Sequence, residues 1–251
     1  MNPPVYRNEI GQTHRDGGLP AIERSNGDKE WWVNGRWHRE DGLPALEYAD
    51  GTKKWYVNGI LHRDDGLPAG FPAGLPAGLP AIEYANGYKE WWVNGKLHRG
   101  GGFPAVEGVN GKYWYVNGWL HREGGLPSFE GWNGNKSWSV NGLLHREDDL
   151  PAVEHDGYRE WAVNGQSHRE GGLPAIEYTD GSKEWWVNGK ELSTETALAY
   201  FSFCQKMKEK IRIRAQKKIY FWWIQICYDL SRPCGQRMAM KNLISFEKMM
   251  G

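Results

Sequence analysis

His-Arg recurs seven times along this chain, at His14, His38, His62, His98, His121, His145 and His168, at intervals of 24, 24, 36, 23, 24 and 23 residues. A period in this range marks an array of small units, each burying its apolar surface only against its neighbours. The long interval is one period with twelve extra residues: from Gly66 the tetrapeptide Gly-Leu/Phe-Pro-Ala runs four times where other copies hold it once. This insertion, near 70–81, reads as a Pro/Gly loop of extended character.

Superposing the copies gives Lys-Glu-Trp-Trp-Val-Asn-Gly-Lys-Leu-His-Arg-Glu-Asp-Gly-Leu-Pro-Ala-Ile-Glu-Tyr-Ala-Asp-Gly. Two turn signals recur: Asn-Gly after the tryptophans, as at Asn34-Gly35, and Asn/Asp-Gly after Ile-Glu, as at Asp50-Gly51. Asn, Asp and Gly tolerate positive φ and so favour hairpin turns. Lys-Glu-Trp-Trp-Val and Ala-Ile-Glu-Tyr are short, alternating and rich in aromatic and β-branched residues, which predicts two strands per copy. The proline opens its strand, where its missing N–H is harmless. The expected fold is mainly β: an elongated, antiparallel single-sheet array of stacked hairpins. The register stays open between a three-residue turn pairing Glu47 with Lys53 and a two-residue turn pairing Leu46 with Trp55.

Comparison between copies predicts the buried face. The first tryptophan is constant (Trp31, Trp55, Trp91, Trp114, Trp138, Trp161, Trp185), and two residues on stands a constant valine, Val33 through Val187. Alternation puts both on one face, the expected core. The position between them varies, and its aromatic members (Trp32, Tyr56, Trp92, Tyr115, Trp186) are the candidate binding face, nearer solvent.

The pattern Val-Asn-Gly-Lys-x-His-x-x-x-Gly with an aromatic strand, Asp-Gly and a 23-residue period resembles MORN-type repeats. The His-Arg-Glu-Asp-Gly-x-Pro-Ala form looks most like the MORN-like arrays of giant DNA viruses. The similarity spans residues 12–189; Trp-Trp-Val stands where MORN units carry Tyr-x-Gly-x-Trp. The resemblance implies a twisted antiparallel sheet and non-catalytic contact with proteins or membrane lipids, in a host cytoplasm if the chain is viral.

Seven histidines in register invite a metal reading, but two strands per copy set them about 10 Å apart, while a zinc needs each ligand within about 2.1 Å. No copy adds a second His or Cys at ligand spacing, so no metal or other cofactor is expected. Instead, His-Arg with the recurring Glu23, Glu47, Glu83, Glu107, Glu130, Glu154 and Glu177 predicts a charge-assisted hydrogen-bond ladder. Catalysis needs one site with environments tuned apart; seven near-identical constellations point to a structural duty, and no catalytic residue is expected. The three cysteines, Cys204, Cys227 and Cys234, lie outside the repeats, so disulfides do not hold them together.

Net charge is zero only in sum. Residues 1–191 hold 20 basic and 27 acidic residues, a net of −7, and residues 192–251 hold 11 and 4, a net of +7. The expected organisation is therefore a degenerate half-repeat over 1–11, seven repeats over 12–191 and a basic, aromatic-rich helical region over 192–251. Ser193 reads as its N-cap with Glu195 in the first turn. Phe201, Cys204, Ile211, Ala215, Ile219, Trp222 and Ile226 recur at helical spacing as one apolar face. Lys206, Lys208, Lys210, Arg212, Arg214, Lys217 and Lys218 are the candidate basic docking surface, either on an anionic membrane or an acidic partner, or as part of a helix that caps the last repeat. The apolar run at 219–228 is half of what a membrane span needs, and residues 1–12 lack a signal peptide's apolar core, so an intracellular protein is expected. The favoured function is an interaction scaffold for a protein partner, ahead of peripheral binding to anionic lipid, with an aromatic carbohydrate-binding array third and nucleic acid disfavoured.

Overall fold

The computed structural model describes residues 4–63 and 78–230, side chains at 204 and 219–230 excepted; most of the Gly-Leu-Pro-Ala insertion and the chain beyond 230 lie outside these residues. The chain forms two units, divided between Leu192 and Ser193. The first is mainly β, an open antiparallel array of stacked hairpins, and the second holds one helix, α1 (Thr194–Leu230).

Each full repeat builds four short strands rather than two. In the first copy these are β1 (Ile22–Glu23), β2 (Lys29–Glu30), β3 (Trp32–Val33) and β4 (Arg36–Trp37). The β1–β2 hairpin and its equivalents stack in chain order into a 15-stranded sheet, while β3–β4 and its equivalents form separate two-stranded ribbons. The Lys-Glu-Trp-Trp-Val run breaks because its first tryptophan changes partners. Trp31 N–H donates to the carbonyl of Ala45 in the next copy (2.8 Å), and its own carbonyl accepts from His38 N–H (3.2 Å). In the last copy the strand runs unbroken through Lys183–Val187.

The two hairpin columns use different turns. In all seven copies the Asn-Gly after β3 has both residues at positive φ, as at Asn34 (49°) and Gly35 (75°), the two-residue turn whose twist matches antiparallel strands. Successive ribbons are joined at these turns by single backbone bonds such as Gly59 N–H to Trp37 O (2.8 Å). In the main sheet, Glu47 pairs with Lys53 and Leu46 with Lys54 across a three-residue turn, which settles the register. The 23-residue copies lose their one residue at this turn: Gly108 pairs with Gly111 across two residues, and His155 N–H donates to Tyr158 O. Period variation is absorbed at the hairpin tip, and the rest of the unit is unchanged.

The core departs from the expected tryptophan–valine seam. The alanine after each proline is buried, with Ser128 in its place in one copy, and so are Trp31, Trp55, Trp91, Trp114, Trp138 and Trp161. The valines are not: Val93, Val140 and Val163 are exposed and the other four half-buried. With the strand broken at the tryptophan, alternation does not carry across it, and Val33 lies opposite Arg36 in its own ribbon. The array also begins and ends in altered units. Tyr6 takes the tryptophan's place, donating to Ala21 O and accepting from His14 N–H (both 3.0 Å). At the other end Leu192 and Ser193 stand where His-Arg would be, and Trp185 is half-buried where the other six are buried.

Candidate binding face and loop row

The constant arginine joins each copy to its neighbours. Arg39 lies over the Trp31 ring at 3.8 Å, donates to the Pro44 carbonyl at 3.2 Å and to Glu47 at 2.9 Å. The same three contacts recur at Arg63, Arg99, Arg122, Arg146 and Arg169. Arg15 repeats the first two with Tyr6 as its ring and faces Glu23 as a looser ion pair at 3.8 Å. Each indole N–H donates in turn to the loop of the preceding copy, as from Trp31 to Gly18 O (2.8 Å) and Trp138 to Gly125 O (3.0 Å). A guanidinium stacked on indole while bonding in plane suits arginine and not lysine. At Arg99, desolvation lowers the pKa against the pull of Glu107.

The histidines do not join this ladder as expected. The Nδ1 atoms of His14, His38, His98, His121, His145 and His168 accept the backbone N–H of the next copy's turn asparagine at 3.2–3.4 Å. Where Nε2 has a carboxylate, it lies two residues on: Asp16, Glu40 or Glu147. The recurring glutamates are taken by arginine alone. These histidines are thus inter-repeat acceptors, and among the described residues no three His, Cys, Asp or Glu side chains gather as a metal would need.

The predicted aromatic positions lie nearer solvent than the buried tryptophan before them in four copies, as expected, but they are not open to it. Trp32, Tyr56, Trp92, Tyr115 and Trp186 are all half-buried, and Ser139 and Ala162 at the same position are buried. The tryptophans are held by the carboxylate two residues earlier. Trp32 Nε1 donates to Glu30 (3.0 Å), Trp92 to Glu90 (2.7 Å) and Trp186 to Glu184 (2.8 Å). Trp32, Trp37 and Tyr56 meet in series as tilted rings, with centroids 4.9 and 5.1 Å apart. Tyrosines complete the face. Burial pushes the phenol pKa up at Tyr56, Tyr84, Tyr88, Tyr115 and Tyr158, and a hydrogen bond to Glu184 (2.9 Å) does so at Tyr178. A face of rings tied to carboxylates is packed against itself.

A different row is open. The residue before each proline, Leu19, Leu43, Leu79, Phe103, Leu126, Leu150 or Leu173, is apolar in every copy and 40–53% exposed. Five of these loops also hold exposed acids (Asp16, Glu40 and Asp41, Glu123, Glu147 to Asp149, and Glu170), and grooves lie between adjacent loops. One of ≈ 460 Å³ is bordered by Asp16, Trp32, Glu40 and Leu43, and one of ≈ 320 Å³ by Glu147, Leu150, Trp161 and Glu170. The signal in the sequence was an apolar residue held constant inside a turn-rich loop, where packing does not call for one.

The helix is capped as expected: Ser193 Oγ accepts Thr196 N–H (3.3 Å), and its carbonyl accepts Ala197 N–H (2.8 Å). Lys206, Lys208, Lys210, Arg212, Arg214, Lys217 and Lys218 lie exposed on it, with Arg212 bonded to Glu209 (2.8 Å). They do not form one stripe, since at about 100° per residue Lys206 and Lys208 point about 160° apart. The predicted apolar face is also incomplete: Phe201 is buried, but Ile211 and Ala215 are exposed. The side chains of its remaining members, Cys204, Ile219, Trp222 and Ile226, lie outside the described residues. No described helix is long and apolar enough to cross a membrane. No family model matches this chain, and neither does any curated protein.

Proposed function

We propose that the chain is a non-catalytic scaffold that holds a protein partner along its array, in keeping with its likeness to MORN-type repeats. The observation that carries this reading is the loop row: one apolar side chain per repeat, exposed in all seven copies. Exposed apolar groups in register on one rigid array are the mark of an interaction surface. The polar groups that a catalytic reading would need are engaged instead, with arginine and glutamate joining one repeat to the next in every copy and histidine doing so at His14, His38, His98, His121, His145 and His168.

The test is photo-crosslinking in the native cell from residues placed at Leu43, Leu126 and Leu173, with Ser25 on an exposed hairpin tip as control. The same adduct from the three row positions and none from Ser25 is expected. No adduct from any row position overturns the scaffold.

A second reading, peripheral binding to anionic lipid, draws on α1, where Phe203 and Ile211 are exposed among the cations. Flotation with phosphatidylserine vesicles at low salt is then expected, and failure to float removes it.

A further inference from the structure

The loop row has a pitch, and the pitch selects an occupant. Each repeat adds two strands to the main sheet, so equivalent loop residues recur at about 9.6 Å. An α-helix returns a side chain to nearly the same face after seven residues, a rise of about 10.5 Å. A β-strand covers about 10 Å in three residues, but the odd step turns the side chain to the opposite face. A helix lying along the row can therefore set one apolar side chain beside each loop leucine. The mismatch of about 0.9 Å per repeat, with a sheet twist of roughly 20–25° per strand, limits a straight helix to about three loops.

Charge and continuity then select the three: the loop after Arg99 holds no acid and the loop after Arg63 carries the twelve-residue insertion, so the last three are the consecutive loops that each keep the short form and an acid. The loops following Arg122, Arg146 and Arg169 carry Glu123, Glu147, Asp148, Asp149 and Glu170 beside Leu126, Leu150 and Leu173. Arg169 takes both oxygens of Asp149 (3.1 and 3.2 Å) and ties the last two loops together. Glu147 binds His145 at 2.8 Å yet stays 83% exposed, so its carboxylate still faces solvent. Between these last two loops runs the ≈ 320 Å³ groove, with leucine at its lip and acids along its rim.

We propose that this three-loop segment docks a cationic amphipathic helix of a partner protein. Apolar side chains seven residues apart meet Leu126, Leu150 and Leu173, while flanking lysines or arginines face Glu123, Glu147, Asp148 and Glu170. The inference rests on the scaffold reading and adds the chemistry of the partner.

Fluorescence anisotropy with the full chain tests it, using stapled helical peptides of about three heptads. One peptide has leucine every seven residues with lysine flanks, a second has the same composition with leucine every five, and a third has glutamate for lysine. The heptad peptide is expected to bind at least about tenfold tighter than either of the others, because only it can set an apolar side chain beside each loop leucine and a cation beside each acid. Leu126→Ser/Leu150→Ser/Leu173→Ser should lose that advantage, and Leu19→Ser/Leu43→Ser should keep it; these side chains are exposed, so both variants should fold. Glu147→Gln/Asp148→Asn should weaken binding and flatten its salt dependence. Equal binding by the heptad and five-residue peptides, or an unchanged triple-serine variant, overturns the proposal. Crosslinks from the row in cells without a heptad preference would remove the helix and leave the scaffold. Absence of crosslinks from the row would remove the scaffold itself.

Discussion

Replacing Arg146 with methionine keeps the side chain's length and apolar stem and deletes one guanidinium from the array. That group lies 3.5 Å over Trp138, donates to Pro151 O at 2.9 Å and to Glu154 at 2.8 Å, and is 19% exposed. The stacked cation contributes about 0.5–2 kcal/mol. The charged bond to a buried-proline carbonyl contributes about 1.5–3 kcal/mol, part of it the cost of leaving that carbonyl without a donor. Glu154 is 39% exposed, so the ion pair itself is screened and adds about 0–1 kcal/mol. The expected loss is about 2–6 kcal/mol. Because repeats are coupled mainly to their neighbours, amide exchange should rise first around Trp138 and Ala152. Urea unfolding followed by tryptophan fluorescence measures the total, with Glu154→Gln as control at no more than about 1 kcal/mol. A methionine variant as stable as the parent would refute the stacking account. A Glu154→Gln loss equal to that of Arg146→Met would assign the energy to the ion pair instead.

Three further outcomes follow from the same geometry. Trp138→Ala should cost about 3–5 kcal/mol as a buried aromatic, and Trp32→Ala about 1.5–3 kcal/mol because it also strips a donor from Glu30; equal urea midpoints would show that the two faces are packed alike. Gly111→Ala sets a methyl against the Glu130 carbonyl oxygen and 2.8 Å from Gly131 Cα, and should destabilise the fourth hairpin by about 1–3 kcal/mol; a melting temperature unchanged from the parent would count against this close approach. The raised tyrosines give alkaline sensitivity. Their neutral form is favoured in the fold, so above the unfolded phenol pKa of about 10 the unfolded chain has lost protons that the folded chain retains. Stability is then full below that pH and falls as pH rises towards the higher folded values. Phenolate absorbance should climb together with loss of the β signal; full ionisation near pH 10 with the fold intact would contradict the burial of these rings.

The sequence by itself determined the repeat, its count, the class and direction of the fold, the Asn-Gly turns, the helix cap at Ser193 and the constant tryptophan as a key position. These follow from local rules, namely side-chain period, turn chemistry and capping, that act within a few residues. It also singled out Arg and Glu as recurring partners, because their positions are fixed in every copy. Tertiary structure decided where the strand breaks, and with it the fate of the valines, since only the competing bonds of Trp31 to Ala45 and His38 turn one five-residue strand into two. It decided that the histidines serve the next copy's turn and not the recurring strand glutamates, a contact across 19 or 20 residues that no local pattern encodes. It also decided which apolar side chains stay in water. Trp32 and Leu43 are both hydrophobic letters in a repeat, but one is held by a carboxylate beneath it and the other stands at a loop tip, and that difference arises only when the copies are stacked.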